Sequence, residues 1–203
     1  MDSRRLPGAV LAAAGDRRGG AAEVADDPSL LEEAVAVLLT GQPAMAPIWH
    51  LAWAARGPNP AAALTDLRRR LTTDADAAAT AWLHRHLATH PGGVATVSHS
   101  SLVDRVLAQI GPTGGDPVVG VAGADAIGPD GILNAVGTRV LAEEVPTLVV
   151  ATAVKLVPGE VFGRLGGAGF EVVALEALAA VVVGSEVLSP VQAGHRAEEL
   201  RPG

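Results

Sequence analysis

After Pro91-Gly92-Gly93 the chain changes its hydrophobic period, and no other feature restricts its fold as strongly. Short β-branched runs follow, Val94–Val97, Val118–Val121, Thr147–Ala151 and Phe170–Ala174, separated by segments long enough for helices. Strands that alternate with helices pair in parallel, because each crossover returns the chain to the same end of the sheet. The pattern predicts a small Rossmann-like α/β domain over residues 92–188, a parallel sheet with flanking helices. The helix after the first run turns Leu102, Val103, Val106, Leu107 and Ile110 inward and leaves Asp104 and Arg105 outward. Ser101 and Asp104 suit a capping box at its start.

Residues 1–91 read as a helical N-terminal domain. Ser29 suits the cap of a helix in which Leu30, Leu31, Ala34, Val37 and Leu38 recur at three and four. Gly41-Gln42-Pro43 ends it, Ala44 to Arg56 resumes it with Trp49 and Trp53 as core, and Pro58-Asn59-Pro60 breaks it again. A further helix or pair of helices runs from Ala61 to Thr89. Arg68-Arg69-Arg70 reads as a solvated helix face, and His86 and His90 as cations favoured near a helix C-terminus rather than metal ligands. Gly163 to Gly169 follows a helix and precedes a strand, the order of a C-cap and turn. Residues 189–203 turn polar and read as a frayed tail.

Composition narrows the functions. The 203 residues are 49% hydrophobic and 2% aromatic, so the core is built from Ala, Val and Leu. A net charge of -7 gives no footprint for a phosphate backbone or an anionic membrane, so neither nucleic acid nor membrane is an expected partner. The longest apolar stretch, Val172 to Val183, is interrupted by Glu176 and is short for a span of about 20 residues. Without cysteine there is no disulfide framework, thiolate metal site or cysteine nucleophile. The expectation is a soluble cytoplasmic protein with no cofactor and no metal.

In an open parallel sheet, ligands bind beyond the carboxyl ends of the strands. The residues that follow the strands are Ser98-His99-Ser100-Ser101, then Gly123-Ala124-Asp125, then Thr152-Ala153-Val154-Lys155. Asp125, beside glycines with little else charged near it in sequence, suits an acid or base; it equally suits a helix cap or turn. Asn134 with Gly137-Thr138 suits an anion site or an ordinary cap. Ser100 suits a nucleophile or a cap, His99 a base or a packed histidine, and Lys155 a phosphate partner or a solvated cation.

The stretch Val121 to Ala142, VAGADAIGPDGILNAVGTRVLA, with Val145 to Lys155, resembles the family that unites translation initiation factor 2B alpha, beta and delta subunits with methylthioribose-1-phosphate and ribose-1,5-bisphosphate isomerases. Weaker similarity covers Asp16–Ala21, Ser98–Ser100 and Phe170–Pro190. The resemblance implies binding of a phosphorylated sugar or a nucleotide and a homodimer. If the chain is an enzyme, it implies an intramolecular aldose-ketose isomerase with Asp125 and Ser100 as catalytic residues. It also implies Gly123, Asn134, Gly137, Thr138, Lys155, His99 and Gly41 as substrate-binding residues. The alternative is a noncatalytic ligand-sensing or assembly protein. The chain departs from the family pattern with Ser100 at the cysteine position, Ala135 where a lysine usually follows the asparagine, and Thr40-Gly41 for Arg-Gly. Between Ile110 and Val118 there is room only for a loop, so the sheet is expected to be smaller.

Overall fold

The computed structural model describes residues 45–56, 58–71, 75–97 and 100–200. The expectations at Asp16–Ala21, Ser29–Leu38, Gly41 and His99 lie outside the described residues. Among the described residues three helices come first: α1 (Ala46–Arg56), α2 (Pro60–Leu71) and α3 (Ala75–Thr89). After β1 (Gly93–Ala95) and α4 (Ser101–Ile110), residues 111–116 lead directly into β2 (Pro117–Ala122). The hairpin β3 (Ala126–Ile127) and β4 (Gly131–Ala135) follows, then α5 (Thr138–Glu144), β5 (Thr147–Ala151), α6 (Gly159–Phe162) and β6 (Phe170–Ala174). The described residues close with β7 (Ala180–Val183), β8 (Glu186–Leu188) and α7 (Pro190–Glu199).

A five-stranded sheet runs β1-β2-β5-β7-β8, parallel throughout except for β8 at its edge. Its strands are buried on both faces, which is why they read as continuous apolar runs. Val119, Val121, Leu148, Val150, Ala180 and Val182 pack with α3 and α4, while Val149, Ala151, Val181 and Val183 meet the second sheet and α7. Each fully buried valine or leucine stabilises the fold by about 1.5–3 kcal/mol.

Two sequence expectations are corrected here. Phe170–Ala174 forms a strand as expected, but it pairs antiparallel with β4 in a second, three-stranded sheet ordered β3-β4-β6. The cause is the turn Gly128-Pro129-Asp130-Gly131, closed by Gly128 N–H donating to the Gly131 carbonyl at 2.9 Å, which returns the chain as a hairpin and offers β4 as a template. The strand beside β5 is β7 instead. The expected tail from 189 is α7, opened by a capping box between Ser189 and Gln192 with Pro190 in its first turn. It buries Ala193, Gly194 and Ala197. A Cβ on Gly194 would run into the Pro129 carbonyl oxygen, so the helix lies directly on the hairpin turn.

The capping box expected from Ser101 and Asp104 is also replaced. Ser100 caps α4, its Oγ accepting from Leu102 N–H at 3.3 Å and its carbonyl from Asp104 N–H at 2.9 Å. Among the described residues no helix is long and apolar enough to cross a membrane.

Candidate functional site

β2 and β5 are parallel neighbours, with Ala122 paired to Val149, so the segments that follow them emerge on one rim. Past β2, Asp125 is fixed through its backbone. Its N–H donates to the Leu133 carbonyl at 2.8 Å, and its carbonyl accepts the Ala46 N–H at 3.2 Å, where α1 begins. Past β5, Ala153–Lys155 forms a 3-10 turn. The two meet: Lys155 Nζ lies 3.6 Å from Asp125 Oδ1, with side chains 17% and 26% exposed. Burial holds the Lys155 ammonium below the usual lysine range, and the Asp125 charge only partly opposes the shift. Lys155 thus puts a charge beside Asp125 that sequence neighbours do not supply, because residues thirty positions apart in sequence are joined by strand register.

The N-terminal helices grip the same turn. From α1, the buried His50 donates through Nε2 to the Leu156 carbonyl at 2.7 Å and packs edge-on against Trp53. Burial pushes the His50 pKa down to about 4, with the Leu156 hydrogen bond acting against the shift and Arg70 adding to it. From α2, Arg70 Nη2 donates to the Ala153 carbonyl at 3.5 Å, so the arginine run is not wholly a solvated face. Among the described residues, two polar atoms in this region are buried with no hydrogen-bond partner, Thr152 Oγ1 at the end of β5 and Trp49 Nε1 on α1. Such groups cost stability unless something satisfies them.

Asn134, Gly137 and Thr138 form a second cluster, joined to the first because Leu133 holds the Asp125 amide. Their hydrogen bonds close within the chain. Asn134 Nδ2 donates to Thr138 Oγ1 at 2.9 Å, and that hydroxyl donates to the Ala135 carbonyl at 2.8 Å. Gly137, with φ 105°, caps α5 in a conformation that glycine adopts readily. Its N–H and that of Arg139 both donate to Glu171 Oε1, at 2.9 and 2.8 Å. A carboxylate from β6 thus sits at the N-terminus of α5, where the sequence left an anion site and an ordinary cap open.

Gly123 lies buried between β2 and Asp125. Ser100 serves as the α4 cap, and its neighbourhood approaches the second cluster: a Cβ on Gly137 would sit 3.8 Å from Val97. Among the described residues no group of three or more His, Asp or Glu side chains is arranged to hold a metal ion.

His50, Arg70 and Glu171 were not visible in sequence, since each acts on a segment more than thirty residues away. One signal was available. Lys155 is the only lysine in the chain; the other 14 of its 15 Lys and Arg residues are arginine.

No family model matches the sequence, and no curated protein matches it either. Solved structures do. Translation initiation factor eIF-2B from Pyrococcus horikoshii OT3 is similar at 16% identity and a TM-score of 0.58, over 91% of this chain and 98% of that one. A chain of the tetrameric eIF2B-beta2-delta2 complex from C. thermophilum is similar at 12% identity and a TM-score of 0.64, over 92% and 91%. The eIF2B beta structure from Chaetomium thermophilum is similar at 12% identity and a TM-score of 0.59, over 95% and 84%. At these identities the likeness establishes a shared fold, helices followed by a mostly parallel central sheet.

Proposed function

We propose that the chain binds a small phosphorylated sugar of the ribose type, or a nucleotide that carries one, at the rim formed by Gly123–Asp125 and Thr152–Lys155. The carrying observation is the 3.6 Å approach of Lys155 Nζ to Asp125 Oδ1 on adjoining strand ends. A cation and a carboxylate side by side suit the carbonyl end of a sugar: the ammonium polarises the carbonyl oxygen, and the carboxylate accepts a hydroxyl or a proton from the adjacent carbon. The Thr152 hydroxyl, without a partner among the described residues, adds a group that a sugar hydroxyl would satisfy. In this reading an aldose-ketose isomerisation is carried by Asp125, with Ser100 remaining a helix cap.

A second reading is favoured by a separate observation. Glu171 fills the α5 N-terminus from within the chain, and Asn134 and Thr138 are committed to each other. A protein that keeps such a fold with part of its rim closed suits ligand sensing or assembly, and the solved structures similar in fold include an initiation factor eIF-2B and a chain of an eIF2B complex. The resemblance in sequence also points to a homodimer, and a chain without cysteine is compatible with a reducing cytoplasm.

Thermal unfolding with ribose 5-phosphate, ribose 1,5-bisphosphate, methylthioribose 1-phosphate and AMP tests binding. A ligand present at 100 times its Kd adds about 2.7 kcal/mol to the folded state. A rise in Tm with one of the sugar phosphates supports the proposal; no rise with any of the four overturns it.

A further inference from the structure

The chain meets its need for positive charge with arginine almost everywhere. Among the described residues, Arg69, Arg105, Arg139 and Arg196 pair with Asp66, Asp76, Glu171 and Glu186. The one lysine stands where the side chain is 17% exposed and a carboxylate lies 3.6 Å from its nitrogen. Its backbone is held from two sides, by His50 on the Leu156 carbonyl and Arg70 on the Ala153 carbonyl. A guanidinium matches a carboxylate at least as well and is less hydrated, so charge alone does not call for lysine at this place. What a lysine has and an arginine lacks is a primary amine that can lose its proton and form a carbon–nitrogen bond.

We propose that Lys155 is an imine-forming amine that captures the carbonyl carbon of a small aldehyde or open-chain aldose, with Asp125 as its proton carrier. The inference rests on reading the Asp125–Lys155 rim as the ligand site. The ammonium gives one proton to the Asp125 carboxylate, and the freed lone pair attacks the carbonyl carbon. The resulting carbinolamine loses its hydroxyl as water, with the proton returned by Asp125, and an imine forms. No electron is gained or lost overall. The protonated imine withdraws electrons from the adjacent carbon, so Asp125 can remove and return a proton there before water releases the original carbonyl compound. The turnover observed is therefore exchange of the α-proton without migration of the carbonyl, which separates this activity from isomerisation. The desolvation that lowers the Lys155 pKa supports the first step, since each unit of lowering raises the neutral fraction tenfold.

The full chain offers only one ε-amine, so reductive trapping is simple to read. Native protein at pH 7 is treated with glycolaldehyde, or with ribose 5-phosphate, and cyanoborohydride, and labelling is located by peptide mass. The same reaction on the chain unfolded in urea gives the rate for an ordinary lysine at the same position. Labelling of native Lys155 faster than in the unfolded chain supports the inference, since burial favours the neutral amine. Equal or slower labelling, or labelling confined to the α-amino group, overturns it. Lys155→Arg, which keeps the charge, is expected to lose α-proton exchange of glycolaldehyde in D2O; retained exchange also overturns it. A Tm rise with ribose 5-phosphate but no fast labelling of Lys155 sinks the imine alone. Fast labelling by glycolaldehyde with no sugar-phosphate binding upholds the imine and sinks the sugar-phosphate reading.

Discussion

Lys155 Nζ and Asp125 Oδ1 stand 3.6 Å apart across the adjoining ends of β5 and β2, in a pair of which neither side chain is more than 26% exposed. A pair this screened from water is sensitive to losing one member, because the other keeps its desolvation cost without its partner. Asp125→Asn is therefore expected to cost about 1–3 kcal/mol, between the values for exposed and buried pairs. The double variant Asp125→Asn/Lys155→Met is expected to be more stable than Asp125→Asn alone. Urea unfolding of the wild type, both single variants and the double variant measures this, and simple additivity would deny that the pair is coupled.

His50 ties stability to acid. Its folded-state pKa lies below the unfolded value, at about 4 against 6.5, so its neutral form is the one the fold favours. The contribution is complete above pH 6.5 and is lost as the pH falls from there to about 4. The shift corresponds to about 3 kcal/mol. A variant such as His50→Gln, which retains a donor, is expected to flatten the fall in stability between pH 6.5 and 4. An unchanged slope would place the acid sensitivity in other groups.

Glu171 serves β6 and α5 together. Its Oε1 accepts the N–H groups of Gly137 and Arg139, and its Oε2 lies 3.7 Å from Arg139 Nε. Glu171→Ala is expected to lower stability by about 1–2 kcal/mol, the value of a helix N-terminal cap. Chemical denaturation checks the size, and a neutral result would mean that water replaces the carboxylate without cost.

Gly194 lets α7 rest on the hairpin turn. With Ala at this place the new methyl group meets the Pro129 carbonyl, so either the helix or the hairpin must shift. Gly194→Ala is expected to destabilise by about 1–3 kcal/mol, despite the better helix propensity of alanine. A gain in Tm would show that α7 packs less closely than described.

The strands were legible where β-branched residues are buried on both faces: Thr147–Ala151 was read with its observed bounds, and β1 and β2 within two residues. β7 escaped because the 3-10 turn Leu175–Ala177 separates it from β6 without a glycine or proline to mark the break. α7 escaped because the residues it buries are alanines and a glycine, which give no apolar stripe. In the site, Asp125 and Lys155 were both found as strand-end residues, but their meeting depends on the register of β2 against β5. The grip of His50 and Arg70 depends on how α1 and α2 dock, which no local pattern encodes.

If the rim performs the isomerase-type proton transfer, ribose 5-phosphate in D2O should lose its C2 proton signal in the presence of the protein. Asp125→Asn is expected to abolish that exchange while binding persists. Exchange that continues unchanged in the variant would exclude Asp125 as the base.

Calorimetric titration of ribose 5-phosphate into the wild type and Lys155→Met measures whether the Asp125–Lys155 rim is the ligand site. Saturable binding to the wild type is expected, with affinity at least about tenfold weaker in the variant, a loss of about 1.4 kcal/mol. Equal affinity in the two proteins, or no binding to the wild type, would contradict that assignment of the rim.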